Sequence, residues 1–449
     1  MVFLRRRIRG KPEEKKQIKC YCIITVKLCS LARLVNLPAD VKYCLHFVLS
    51  TILPAKYPTG FISAKEFQKS YFFFNYPVTF VQLMEKIFFT VTTDLTYDQR
   101  MIRICTTLAR EGYSVILVGR KLRNSVPLTN RIFHQKRLPC FFSKGKAMYI
   151  EFNIRLFVYL LFQKMEAICA IDLDTILPCY AISVLKKIPR IYDAHELFCE
   201  MKEVVTRTHI YRFWKGIERF TVPRFEWGYT VNHSIAEEFS NMYHRSYKVI
   251  RNVPFYRPLN IPSKNEIYIL YQGSVNEGRS FETLIPAMRH VDSTLHIYGD
   301  GNFFNQAMEL IQKNNLESKV FLKGKLPPEK LNEITRQAWI GTTLFENKGL
   351  SNYYSLANRF FDYMHAGIPQ LCVNYPVYRE INNEFEVAVL IEDLSSESIA
   401  SGLNTLLHDR SLYLRLQQNC VRAREEMNWE IEEKKLIAIY EELFKRSIA

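Results

Sequence analysis

From residue 84 onward, short runs rich in β-branched and aromatic residues alternate with stretches of helical periodicity. That alternation restricts the chain to parallel sheets built from βαβ units. Strands are expected over 85–92, 114–119, 167–171, 190–192, 229–231 and 248–250. Between the first two, a helix over 97–111 places Met101, Ile104, Cys105 and Leu108 on one face, and Gly112 stops it. Residues 147–164 and 210–225 read as further helices. Asn252, Pro254, Pro258 and Pro262 then break the pattern, and residues 263–265 read as a linker, which puts a domain boundary there. The second half repeats the theme, with strands over 267–271, 294–298, 320–323, 340–344, 370–373 and 387–391, and from residue 395 the chain is nearly all helical. A length of 449 residues, with 48% hydrophobic and 24% charged residues, suits two globular domains and excludes disorder throughout.

The net charge of +16 is uneven: residues 1–83 hold 14 Lys and Arg against 4 Asp and Glu, leaving +6 for the remaining 366. That surplus fits nucleotide diphosphates or an anionic membrane surface, and no zinc-finger spacing or basic heptad array points to nucleic acid. Eleven cysteines, including the near pair Cys20 and Cys22, form neither a zinc pattern nor a disulfide framework, so reduced thiols and a cytoplasmic location are expected. In residues 1–83 the arginines at 5, 6, 7 and 9 lack a following apolar h-region, and the apolar runs 43–54 and 71–83 are shorter than the roughly 20 residues that span a bilayer. The aromatic run 71–76 suits interfacial attachment at the inner face of the membrane. Residues 84–92 look like the natural start of the first domain, so Met84 is expected to be the true initiator and residues 1–83 a mis-annotated or disordered leader; native peptides from 1–83 in mass spectrometry would refute this.

Residues 355–369 read as a short helix closed by Gly367, with Ser355 as its cap and Leu356, Phe360 and Met364 along its buried side. Asp362 lies off that stripe, and Asn358 and Arg359 near the helix start suit an anionic group such as a diphosphate. Arg279 follows a loop bounded by Gly273 and Gly278 and opens the next helix; alone it reads as a surface arginine. Gly299-Asp300-Gly301 after a strand is by itself a tight turn. Asp193, His195 and Glu196 end a β-rich stretch, an unusual concentration of titratable groups.

Taken in order, Tyr192-Asp-Ala-His-Glu-Leu-Phe198, Tyr271-Gln-Gly-Ser-Val-Asn-Glu-Gly-Arg279, Ile297-Tyr-Gly-Asp-Gly301 and the 355–369 block resemble the retaining glycosyltransferases of family 4. The resemblance covers residue 84 to the C-terminus and implies an α/β fold of the GT-B type: two Rossmann-like β/α/β domains facing across a cleft, with the C-terminal helix returning to the first. It implies an acceptor-binding domain over 84–262, a nucleotide-sugar-binding domain over 263–425 and the returning helix over 426–449. By the same resemblance, Gly273, Arg279, Gly299, Asp300, Ser355, Asn358, Arg359 and Asp362 hold the nucleotide sugar, and Arg279 faces the diphosphate. His195 contacts the donor sugar and Glu196 the acceptor, while Thr93, Asp94, Asp98 and Arg100 shape the acceptor pocket. Asp98 and Arg100 equally fit a surface pair or a helix cap.

The family carries two glutamates with seven residues between them; here the second falls on Asp362 and the first on Tyr354, which has no carboxylate. Ser355, Asn358, backbone amides before the helix or Glu346 is expected to take over its sugar contacts. No metal or other cofactor is expected. The implied activity is transfer of a sugar from a nucleotide-diphosphate donor, with retention, to a glycan or lipid-linked acceptor of the cell envelope. A sugar-nucleotide epimerase or hydrolase and a non-catalytic binding protein are the alternatives.

Overall fold

The computed structural model describes residues 85–259 and 266–448, so the expectations for the leader lie outside the described residues. Every strand pairing is parallel. The first sheet comprises β1 (Lys86–Thr90), β2 (Ser114–Lys121), β3 (His134–Pro139), β4 (Ala167–Ile171), β5 (Arg190–Ala194), β6 (Trp227–Thr230) and β7 (Lys248–Val249), in the spatial order β3-β2-β1-β4-β5-β6-β7. The second comprises β8 (Tyr268–Gln272), β9 (Thr294–Tyr298), β10 (Val320–Gly324), β11 (Ile340–Thr343), β12 (Gln370–Val373) and β13 (Ala388–Ile391), in the order β10-β9-β8-β11-β12-β13.

Both orders reverse direction beside their first strand, between β1 and β4 and between β8 and β11. In doubly wound sheets such a switch point opens a crevice outside the carboxyl ends of the strands, and ligands bind there. The chain that follows β1, β4, β8 and β11 is therefore where chemistry is to be sought.

Strands buried on both faces explain the apolar runs seen in the sequence. β4 and β8 are buried at all five positions. The helix Gln99–Arg110 buries Met101, Ile104, Cys105 and Leu108 against the first sheet, and the Asp98 carboxylate caps it by accepting the Met101 N–H at 3.1 Å. The final helix, Trp429–Ile448, joins the same cluster through Trp429, Leu436, Ile439, Tyr440 and Leu443. It thus packs on the first sheet, although the helix just before it, Arg410–Glu426, packs on the second through Leu416 and Cys420.

Three local expectations need correction. Strand β3 had no signal, because its charged residues and Pro139 are poor strand formers and it exists as an edge paired only to β2. Ser355 does not cap the helix Asn358–His365: Ala357 holds the cap position without a side-chain bond, and the Ser355 N–H instead donates to the Asn352 carbonyl, closing the short helix Leu350–Tyr353. Arg279 does not open a helix, since the next one is Phe281–Ala287 and Ser280 precedes it in a left-handed conformation.

Candidate functional site

Two loops leave the second sheet at its switch point. After β8, residues 273–279 fold against the turn after β9: Val275 N–H donates to the Asp300 carbonyl, and Asn276 Oδ1 accepts the Asn302 N–H. The approach is close enough to require glycine. A Cβ on Gly299, whose φ is +157°, would lie 1.7 Å from the Gly273 carbonyl oxygen. Asp300 is exposed, its side chain engaged with the Gly301 N–H. After β11, Glu346 N–H donates to the Gly278 carbonyl, which draws Phe345 under the first loop. The Glu346 carboxylate pairs with Lys348 at 2.7 Å.

Phe345 gathers two cations. The guanidinium carbon of Arg279 lies 4.2 Å from the centre of its ring and that of Arg359 lies 4.7 Å from it. Arg359 is only 7% exposed; it rests on Tyr271 as well, and its Nη1 sits beneath Gly273. Its Nε and Nη2 are buried without a hydrogen-bond partner, and among the described residues neither arginine forms an ion pair. Burial, and then repulsion by Arg359, lowers the pKa of Arg279. Two guanidiniums held together on one ring, neither in an ion pair among the described residues, form an arrangement that an anion lying over the loop would complete.

Asp362 follows one turn after Arg359. Its Oδ2 accepts from Gln272 Nε2 at 2.9 Å, and among the described residues no donor reaches Oδ1. Burial raises its pKa to about 6, against the opposing pull of Arg103, Gln272 and Arg359. Arg359 thus interacts electrostatically with both Arg279 and Asp362. Asn358 is exposed and accepts from Asn252 at 2.6 Å. Tyr354, where the family carries a glutamate, engages Glu238 with its side chain, and its carbonyl accepts from Asn232 at 2.8 Å. Ser351 instead reaches Glu196, with its Oγ 3.4 Å from Oε2.

The first sheet supplies a cluster of charge at its own switch point. Asp193, at the end of β5, is fully buried and receives Arg100 through two nitrogens, at 2.8 and 3.3 Å. Its Oδ2 also lies 3.0 Å from His195 Nε2. Asp172, directly after β4, accepts the His195 N–H at 2.8 Å, and its Oδ2 lies 3.6 Å from Nδ1. Burial by itself would depress the imidazole, but Asp193 first and Asp172 second raise its pKa to about 9. Burial raises Asp172 itself to about 8, whereas Asp193, against its own burial, is held low by Arg100 and His195, so Asp193 is the firm counter-ion of the ring. Burial raises Glu196 as well, opposed by His195 and Arg279. Glu196 is therefore the group of the first domain that faces the arginines of the second.

The other expected acceptor residues have internal duties. Arg100 is buried, with each of its three nitrogens donating to Asp193 or the Ile250 carbonyl. Asp98 caps its helix and accepts from Thr93, while Asp94 holds the turn to Thr96. Phe345, Gln272 and Asp172 were missed from sequence. The first two occupy strand-end positions in the switch-point order, which becomes visible only once the strands are arranged.

These two sheets, each wound in the order that places a ligand crevice beside its first strand, have the GT-B fold of nucleotide-sugar glycosyltransferases. Residues 254–423 match the family described as glycosyl transferases group 1. Among particular proteins, the chain is 24% identical over 178 residues to the poly(glycerol-phosphate) alpha-glucosyltransferase of Bacillus subtilis. That alignment takes in 37% of this chain and 24% of the relative, so the chain spans about a quarter of the relative's length. The fold is similar to sucrose-phosphate synthase from Thermosynechococcus elongatus, with a TM-score of 0.66 and 16% identity over 81% of this chain and 100% of that one. It is also similar to Anabaena HepE in complex with UDP-glucose, with a TM-score of 0.62 and 11% identity over 80% and 99% of the two chains.

Proposed function

We propose that this chain is a retaining glycosyltransferase of the family 4 type, moving a hexosyl group from a nucleotide-diphosphate donor to a glycan or lipid-linked acceptor of the cell envelope. The observation that carries the reading is the pair Arg279 and Arg359 gathered on Phe345 at the switch point of the second sheet, neither in an ion pair among the described residues. The diphosphate lies across Gly273 and these two guanidiniums, which supply the charge that the leaving group needs without a metal cofactor. Asp362 accepts the ribose hydroxyls through Oδ1, and the sugar extends toward His195, Glu196 and Ser351. The bond from the anomeric carbon to the phosphate oxygen breaks as the acceptor oxygen bonds to the same face, and the phosphate oxygen takes the acceptor proton. His195 contacts the donor sugar and Glu196 orients the acceptor, so neither need act as a nucleophile.

An anionic or membrane-borne acceptor has its own support. Residues 112–150 carry eight Lys and Arg and no Asp or Glu, and this stretch includes the edge strand β3 and the exposed Ile132 and Phe141. The polymer in the name of the Bacillus relative, poly(glycerol-phosphate), is likewise rich in phosphate. No helix among the described residues is long and apolar enough to cross a membrane.

Tyr354, turned toward Glu238 where the family has a sugar-binding glutamate, favours a second reading as a non-catalytic binding protein. Thermal shift with UDP-, GDP- and ADP-sugars, followed by product analysis with and without acceptor, separates the readings. Stabilisation by one nucleotide sugar and acceptor-dependent product are expected. Stabilisation without transfer would leave the binding protein, product without acceptor would indicate an epimerase or hydrolase, and no stabilisation by any donor would overturn the nucleotide site.

A further inference from the structure

Asp172 has an unusual backbone. Its φ of 53° and ψ of 176° lie outside the left-handed helical well occupied by His244, Ser280 and Glu386, whose ψ values are 41°, 26° and 66°. That region is essentially reserved for glycine and costs a side-chain-bearing residue on the order of 1–3 kcal/mol. A side-chain-bearing residue persists there only where the surrounding contacts over-determine it.

The carboxylate is aimed at His195. One oxygen accepts the His195 backbone N–H at 2.8 Å, the other lies 3.6 Å from Nδ1, and Asp193 takes the far side of the ring through Nε2 at 3.0 Å. The backbone supports the same placement, because the Asp172 N–H donates to the Asp193 carbonyl at 3.0 Å. The imidazole is therefore gripped between the chain ends of β4 and β5, with both nitrogens facing carboxylates, while about a quarter of the side chain stays open to solvent. A buried core histidine needs no such second grip on an exposed ring.

We propose that Asp172 is a positioning residue, held in a strained conformation so that it fixes the plane of the His195 ring toward the cleft. The catalytic part of this inference rests on the glycosyltransferase reading; the grip on the ring does not. The charged groups around His195 are Asp193 from β5, Asp172 and Asp174 after β4, Arg100 from the helix Gln99–Arg110, and Glu196 beside it, itself facing Arg279. Among these, Asp193 and then Asp172 favour the proton on the ring and Arg100 opposes them, while burial raises Asp172 itself to about 8, so Asp172 and His195 titrate together.

Two variants of the full chain test this. Asp172→Gly relieves the backbone while deleting both contacts; Asp172→Asn keeps an acceptor for the His195 N–H and removes only the charge. With Asp172→Gly, the melting temperature should equal or exceed wild type. The His195 ring titration, followed by NMR, should move to lower pH in both variants. The kcat should fall by roughly 10- to 100-fold in the glycine variant and by less in the asparagine variant, with the donor KM nearly unchanged. An unmoved His195 titration would overturn the proposal, and so would a glycine variant that is stable and fully active. Should wild type transfer no sugar, the glycosyltransferase reading fails, and the titration and melting measurements still decide whether Asp172 grips the ring.

Discussion

A single arginine carries most of what this site can do. Arg359 holds a charge with two unpartnered nitrogens and spends its hydrophobic surface on Tyr271 and Phe345. Arg359→Met keeps that volume and removes the charge. The free protein should melt no lower than wild type, because a repulsion with Arg279 is lost. Affinity for the nucleoside diphosphate should fall by about 10- to 100-fold in calorimetry, the weight of a charge-assisted hydrogen bond; unchanged affinity would move the phosphate elsewhere. Asp362 makes a second prediction through pH. Its pKa rises from 3.8 unfolded to about 6 folded, so the folded protein binds the extra proton between those values and its stability falls as pH rises through that window. Asp362→Asn should therefore stabilise the free protein at pH 7 by on the order of 2 kcal/mol, an advantage that shrinks toward pH 4, while the donor KM rises. A melting difference that is flat with pH would refute the burial of that charge. Asp362 was legible from its place off the apolar stripe; the primacy of Arg359 was not, because sequence cannot say which of two arginines is walled in by rings.

At the scale of elements, the loop after β8 and the turn after β9 act as one body because both lack side chains where they meet. Gly299→Ala would set a methyl group on the Gly273 carbonyl, so one loop must move. We expect a loss of about 1–3 kcal/mol in stability by denaturant titration and a larger loss of nucleotide binding, since Gly273 roofs Arg359. Binding at wild-type strength would separate the two loops functionally. Strands buried on both faces were readable: 167–171, 294–298 and 370–373 are predicted to the residue, because apolar burial there is dense and local. The edge strand β3 was silent, since its pairing partner β2 rather than its own residues makes it a strand.

For the whole molecule, the last helix is the tie. Trp429 is fully buried in the first domain's cluster, its indole N–H donates to Thr107 at 2.9 Å, and Glu432 accepts the Arg251 N–H at 3.0 Å. Trp429→Ala should cost about 3–5 kcal/mol and make the melt of the first domain separate from that of the second in calorimetry; a single unshifted transition would show that the helix carries no such load. The sequence by itself determined the parallel α/β class, most strand positions, the helix that bears Asp362 and the richness of titratable groups at 193–196, because periodicity, glycine stops and burial are local properties of the chain. Only the tertiary structure decided that Arg279 and Arg359 share one ring, that Arg100 is an internal counter-ion, that Tyr354 turns to Glu238, and that Asp172 is strained onto His195. Those facts depend on which strand ends lie side by side, and neighbours in space that are far apart in the chain leave no spacing to read.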